Sequence, residues 1–233
     1  MALKLVERVK KLMPNSPAAF MLEGDVEMLG KRYANAVKAY ERAYSMGKSG
    51  ILAAQVHQAY WRAGKPEHGE AVVLKWLEEN PTDASTRVYL ADASLRAKRV
   101  AVAIPQYEWL AENRPVNQQV LNNLAWAYDA NADARALATA EKASKLDEKS
   151  PAATDTYGWM LYRNERFADA VEVLRRAVAL APNEREIRYH YAQALVKTGD
   201  RRNARLELER VLAGSTPFSR QAEAKPLLDQ LRN

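Results

Sequence analysis

Three histidines, His57, His68 and His190, are the only imidazoles in the chain, and there is no cysteine. Imidazole and thiolate are the side chains best placed for proton transfer, nucleophilic attack and zinc ligation near neutral pH. Without cysteine there is no thiol nucleophile, disulfide framework, iron–sulfur ligation or cysteine-based zinc site. The histidines stand too far apart in the repeat register described below to share a site. No His-Glu-x-x-His run or carboxylate cluster accompanies them. His57 falls at a helix-packing position and is expected to be satisfied or half-buried. His190, beside tyrosines, is expected to pack at the surface. The nine glycines form neither a GxGxxG nor a GxxxxGK phosphate cradle. Acidic residues such as Glu78, Glu79, Glu207 and Glu209 sit among bases and read as solvated helix faces. The expectation is a protein without catalytic residues, metal or cofactor, and not an enzyme.

Charge narrows the partners. The 35 basic and 29 acidic side chains of the 233 residues leave a net +6. Residues 1–13 carry +3, residues 163–233 carry +4, and the stretch between comes to −1. Nucleic-acid binders concentrate their bases on one face; here the excess lies at both ends, diluted by acids, so no nucleic-acid partner is expected. No run of 18 apolar residues is present to span a membrane. The opening MALKLVERVKKLMP lacks the apolar core and small-residue cleavage site of an export signal.

The elements that position these residues follow from a repeat. Small residues recur at Ala2, Ala36, Gly69, Ala103, Ala136, Ala170 and Ala204, always 33 or 34 apart. A second series runs seven residues later, through Val9, Ala43, Trp76, Leu110, Ala143, Ala177 and Val211. A third passes through Gly24, His57, Ala91, Ala125, Gly158 and Ala192. Prolines at 14, 81, 115 and 182 keep the same period. Within a period the apolar spacing is helical: Ala170, Val171, Leu174, Ala177 and Val178 share one face. Breakers such as Gly30 with Lys31, Gly64 with Pro66, and Gly199 with Asp200 divide each unit into two helices. The small residues mark where two helix backbones approach closely.

This sequence resembles the tetratricopeptide repeat (TPR) family. The resemblance is best seen in residues 151–184, with Tyr157, Gly158, Leu161, Phe167, Ala170, Leu174, Ala177 and Pro182. Residues 17–49 carry it in Phe20, Gly24, Tyr33, Ala36, Tyr40 and Ala43, and residues 185–214 in Tyr191, Ala192, Leu195, Gly199, Ala204, Leu208 and Val211. It implies an all-α, right-handed α-solenoid of TPR helical hairpins. The expected division is a trailing half-repeat at 1–16, hairpins at 17–49, 50–83, 84–117, 118–150, 151–184 and 185–214, and a capping helix at 215–233. Residues 1–13 also read as a basic amphipathic helix for a membrane surface, but their unbroken register favours half a repeat packed on its neighbour. The chain is then expected to be the C-terminal piece of a longer array.

Three hairpins depart from the pattern. His57 and Trp76 stand where small residues are usual, so wider helix spacing is expected in 50–83. Pro105 is expected to start the second helix of 84–117 late or to kink it. Residues 118–150 lack the hairpin glycine, and their turn is expected to be a residue shorter.

In TPR arrays the first helix of each hairpin lines a concave groove. The resemblance carries that face onto Met21, Asp25 and Met28; Gln58, Trp61 and Arg62; Val88, Asp92 and Arg96; Asn122, Trp126 and Asp129; Asp155, Trp159, Tyr162 and Arg163; and Tyr189, Gln193 and Lys197. The candidate partner-binding residues are Trp61, Arg62, Asn122, Trp126, Trp159, Tyr162, Arg163 and Tyr189. Aromatic and arginine side chains are the usual interface anchors; each tryptophan has packing against the next repeat as its alternative. Trp126 and Trp159, one period apart, are expected to form an apolar shelf with Arg163 at its cationic end. The shelf suits a protein or peptide partner, with a polysaccharide as the alternative. The carboxylate clamp of chaperone-binding TPRs is not expected: Asn122 and Asn123 occupy its positions, but its lysine is missing.

Short motifs refine the resemblance. Residues 76–81 (WLEENP), 124–128 (LAWAY), 155–162 (DTYGWMLY) and 224–228 (AKPLL) are similar to the C-terminal end of bacterial long-array TPR proteins. Those include the TPR lipoprotein of the PEP-CTERM/exosortase system, associated with exopolysaccharide production and surface-protein sorting. That resemblance implies a periplasmic or lipid-anchored parent. The competing readings are a scaffold within a polysaccharide secretion apparatus and a cytoplasmic peptide-binding adaptor.

Overall fold

A computed structural model of the protein describes residues 2–214 and 218–232. Residues 215–217, which the sequence assigned to the start of the cap, lie outside the described residues, as do Met1 and Asn233. Among the described residues there are fourteen α-helices and no strand. They are α1 (Ala2–Leu12), α2 (Pro17–Leu29), α3 (Tyr33–Met46), α4 (Gly50–Arg62), α5 (Pro66–Glu79), α6 (Ala84–Arg96) and α7 (Val100–Asn113). There follow α8 (Gln118–Ala130), α9 (Arg135–Leu146), α10 (Pro151–Arg163), α11 (Phe167–Leu180), α12 (Arg185–Lys197), α13 (Arg201–Leu212) and α14 (Gln221–Arg232). No helix among them is long and apolar enough to cross a membrane.

Every turn inside a hairpin reverses at one left-handed residue: Lys31, Gly64, Lys98, Ala132, Glu165 and Gly199, with φ between 54° and 84°. Only two of the six are glycine, although L side chains disfavour this region. Gly30, the breaker read from the sequence, has φ −77° and merely ends α2; Lys31 beside it makes the turn. The 118–150 hairpin corrects the expectation of a shortened turn. Its left-handed residue, Ala132, follows the end of α8 at the usual distance, and the shortfall falls on α9, which has 12 residues against 14 in α3, α5, α7 and α11. Pro105 does not delay its helix either. The second helix α7 begins at Val100, two residues after the turn residue Lys98, in register with the other second helices.

The described chain divides into two compact units, residues 1–97 and 98–233. In the first, α1 to α6 pack each on the next, and α4 also touches α6. In the second, α7 to α14 pack in sequence, and α8, α10 and α12 form a row of first helices in direct contact. The segment 84–117 contributes α6 to one unit and α7 to the other.

The small-residue series forms the packed seams. Ala36, Ala103, Ala170 and Ala204 are fully buried, as are Ala43, Ala143, Ala177 and Val211 of the second series. Wider spacing at His57 is corrected by its partner. A Cβ built on Gly69 would lie 2.8 Å from the His57 Cα and 2.9 Å from its carbonyl oxygen, so α4 and α5 cross in close contact. The bulky residue is accommodated because the opposite position has no side chain. Trp76 bridges forward instead: its Nε1–H donates to Asp83 Oδ2 at 2.7 Å, and Asp83 caps α6 by accepting from the Thr86 backbone and hydroxyl. Burial alone would raise the Asp83 carboxyl, but the hydrogen bonds from Thr86 and Trp76 together hold it below its ordinary value. At the two ends, α1 packs on α2 with Val6 buried. Helix α14 covers the last hairpin by setting Ala224, Leu228 and Leu231 against Tyr189, Leu208 and Phe218.

Candidate functional site

In the first unit the two first helices α4 and α6 leave an open depression of about 350 Å³. It is lined by His57, Gln58, Trp61, Arg62, Tyr89, Ala93, Arg96 and Ala97. The helical period dictates this set. Positions 58, 61 and 62 share a face of α4, and 89, 93 and 96 share the facing side of α6. Trp61 keeps 38% of its surface exposed. Arg62 and Arg96 are exposed, and neither forms an ion pair or side-chain hydrogen bond among the described residues.

The floor of the depression is fixed by polar contacts. Tyr89 donates its hydroxyl proton to the Ala54 carbonyl oxygen at 2.9 Å, so its oxygen accepts from the Nδ1–H of buried His57 at 2.8 Å. Burial pushes the Tyr89 phenol up to about 12, against the pull of the Arg96 charge, so that proton stays in place at neutral pH. The His57 ring stands edge-on to Tyr89 at 5.5 Å and tilted beside Trp61 at 6.3 Å. Tyr89 and His57, which sequence reasoning left out of the site, are 32 residues apart, close to one period. Lateral neighbours in a repeat are found by that spacing.

In the second unit the predicted residues are brought together but do not form an open shelf. Trp159 is 7% exposed and Tyr189 is 1% exposed. The Trp159 indole lies between Tyr162 (centroids 4.8 Å apart) and His190 (4.3 Å), both nearly parallel to it. Arg220 completes the cover, its guanidinium 5.6 Å from the Trp159 ring and 5.1 Å from that of Tyr189. The expectation that Trp159 and Tyr189 stand free in a groove is corrected: the neighbouring helix and the segment before α14 take the contacts a ligand would make. Trp126 is half-buried beside α10, its Nε1–H donating to Thr156 Oγ1 at 3.0 Å. Asn122 is half-buried, and its Oδ1 has no hydrogen-bond partner. Arg163 is exposed and sits 3.6 Å from the Asp129 carboxylate.

His190 is buried rather than at the surface, and its Nδ1 lies 2.9 and 3.0 Å from the two Asp155 oxygens. Arg220 can only donate, so its Nη1, 3.3 Å from His190 Nε2, requires Nε2 to accept. Nδ1 then carries a proton and donates it to Asp155. The arrangement is an internal tie between α10, α12 and the cap. Among the described residues no group of three or more His, Cys, Asp or Glu side chains gathers to hold a metal.

Comparison with known proteins bears on what this architecture is. Two family models, both described as tetratricopeptide repeat, match residues 2–51 and 161–231, together just over half of the chain. The chain belongs to the tetratricopeptide repeat family. No curated protein matches it by sequence. Solved TPR structures share its fold. The C-terminal part of a TPR repeat-containing protein from Cytophaga hutchinsonii has a TM-score of 0.69 at 13% identity, over 95% of this chain and 92% of that one. A thermophilic TPR protein of Thermus thermophilus has a TM-score of 0.58 at 17% identity, over 79% and 99%. YrrB, described as a TPR protein with an unusual peptide-binding site, has a TM-score of 0.60 at 14% identity, over 83% and 99%. At these identities the likeness is one of fold: an all-α TPR solenoid. Among the candidate residues, Trp61 and Arg62 are exposed on the first helix α4, as Arg163 is on α10.

Proposed function

We propose that this TPR protein is a non-catalytic scaffold that holds a protein partner on the face formed by its first helices. The observation that carries the reading is the α4–α6 depression, where a partly exposed indole stands between two arginines that lack ion partners. Buried aromatic and arginine anchors in a desolvated pocket dominate interface energies, and this depression supplies both. Trp126, Trp159, Tyr162, Arg163 and Tyr189 then serve mainly to rigidify the second unit, with Arg163 the member still exposing a charged group to a partner. The cellular setting we propose is bacterial exopolysaccharide production and PEP-CTERM protein sorting, from a periplasmic or lipid-anchored parent. The support is the set of short motifs at 76–81, 124–128, 155–162 and 224–228.

The test is site-specific photocrosslinking in the native host. A benzoylphenylalanine at position 61 is expected to capture a discrete partner, and one at Lys75, exposed on the second helix α5, is not. Equal capture at both positions refutes the first-helix face as the site. Partners confined to the cytoplasm refute the proposed setting and favour a cytoplasmic adaptor. A synthase or outer-membrane pore as partner favours the polysaccharide secretion scaffold.

A further inference from the structure

The furrow between α4 and α6 does not end at Trp61. Beyond Gln58 and Tyr89, which line both parts, it continues into a second hollow of about 260 Å³ bounded by Ile51, Ala54 and Ser85. The two ends differ in chemistry. At one end the Ile51 side chain is 71% exposed beside Ala54, and no charged group lines the hollow. At the other, Arg62 and Arg96 flank the Trp61 indole, and no acidic side chain lines that depression. Both arginines lie in the last turns of their helices, where the backbone presents about half a negative charge per helix. Two guanidinium charges exceed the two helix ends by about one positive charge, so the end stays cationic.

Length sets the ligand. Along α4 the eleven steps from Ile51 to Arg62 rise about 16 Å at ~1.5 Å per residue; four steps of an extended chain at ~3.3 Å each cover about 13 Å, and the lengths of the arginine and acidic side chains span the remaining ~3 Å. We infer that this furrow binds an extended peptide segment bearing an acidic residue and, four positions away, an aliphatic residue. The carboxylate sits between Arg62 and Arg96 and the aliphatic side chain beside Ile51. Guanidinium–carboxylate pairing gives the charged end its geometry. Gln58, exposed at the waist of the furrow, faces the peptide backbone between the two anchors. The inference rests on the first-helix face being the binding surface, and it adds the ligand's charge, polarity and spacing.

A displayed random-dodecapeptide library selected against the full chain, followed by fluorescence anisotropy with synthetic peptides, tests it. Selected sequences are expected to share an acidic residue four positions from Leu, Ile or Val. A peptide built on Glu-Ala-Ala-Ala-Leu is expected to bind about tenfold more tightly than its Gln-Ala-Ala-Ala-Leu and Glu-Ala-Leu counterparts, the size of one anchor. Arg62→Gln and Arg96→Gln, both exposed and leaving the circular dichroism unchanged, each remove most of that acidic preference. Trp61→Ala weakens all peptides. Peptides that need Trp61 but show no acidic preference, or no loss with either arginine change, overturn this inference and leave the binding face standing. Selected peptides indifferent to Trp61, Arg62 and Arg96 alike overturn both. Tighter binding of an oligogalacturonate than of any peptide overturns it in favour of an acidic glycan.

Discussion

A single methyl group at position 69 tests the close approach of α4 and α5. In Gly69→Ala the new Cβ would lie 2.8 Å from the His57 Cα and 2.9 Å from the His57 carbonyl oxygen. Carbon pairs prefer about 3.5–4.0 Å, so the helices must separate by close to 1 Å along the seam that buries Val56, Val73 and Leu77. Overpacking of this kind costs about 1–3 kcal/mol. Alanine is worth about 1 kcal/mol more than glycine inside a helix, which offsets part of the loss. The net expectation is destabilisation of about 1 kcal/mol, read as a lower urea midpoint by circular dichroism. Because the opposing atoms are backbone, His57→Ala in the same chain does not restore stability. At Gly158 a Cβ would instead meet the Leu174 side chain at 2.6 Å, so Leu174→Ala partly relieves Gly158→Ala. A Gly69→Ala variant stabilised by about 1 kcal/mol, as helix propensity alone predicts, refutes the close crossing.

Four further outcomes follow from named contacts. Ala170→Leu, at a fully buried seam position, lowers stability by about 1–3 kcal/mol, measured by the same denaturation. Trp159→Ala costs about 3–5 kcal/mol, because its indole is stacked between Tyr162 and His190; affinity loss in that variant then reports folding and not an open site. Asp83 is held below its ordinary carboxyl value, so its contribution is present above the unfolded pKa, about 3.9, and is lost as pH falls through the folded value. Asp83→Asn is expected to flatten the fall in urea midpoint seen as pH drops below the unfolded carboxyl value, about 3.9. Trp61→Ala, by contrast, leaves the denaturation curve close to wild type and changes partner capture.

Much of the architecture was legible as periodicity. The 33- or 34-residue spacing of small residues locates all six hairpin turns, and each falls within two residues of a left-handed position. The three local misreadings share a cause. The late start expected from Pro105, the short turn expected in 118–150 and the wide spacing expected at His57 were judged one residue at a time, whereas each position is absorbed by what surrounds it. The proline lies in a helix that still starts in register. The deletion is taken up by a shorter α9, and the imidazole is matched by Gly69 across the seam.

The site was legible as a set of positions but not as a surface. Periodicity sets which side chains lie on the first-helix face, because the 3.6-residue turn of a helix and the repeat length assign every residue an angle and a neighbour. Whether a side chain on that face is free depends on what reaches it from elsewhere in the chain. Arg220, 61 residues beyond Trp159 and outside the repeat pattern, closes the second-unit aromatics with its guanidinium, and His190 fills the space that a ligand ring would take. No comparable group among the described residues pairs with Arg62 or Arg96. The repeat and its helices were thus determined by local periodicity. Which aromatic stays open to a partner was decided only by tertiary packing, since burial is a property of non-local contacts and no spacing along the chain encodes it.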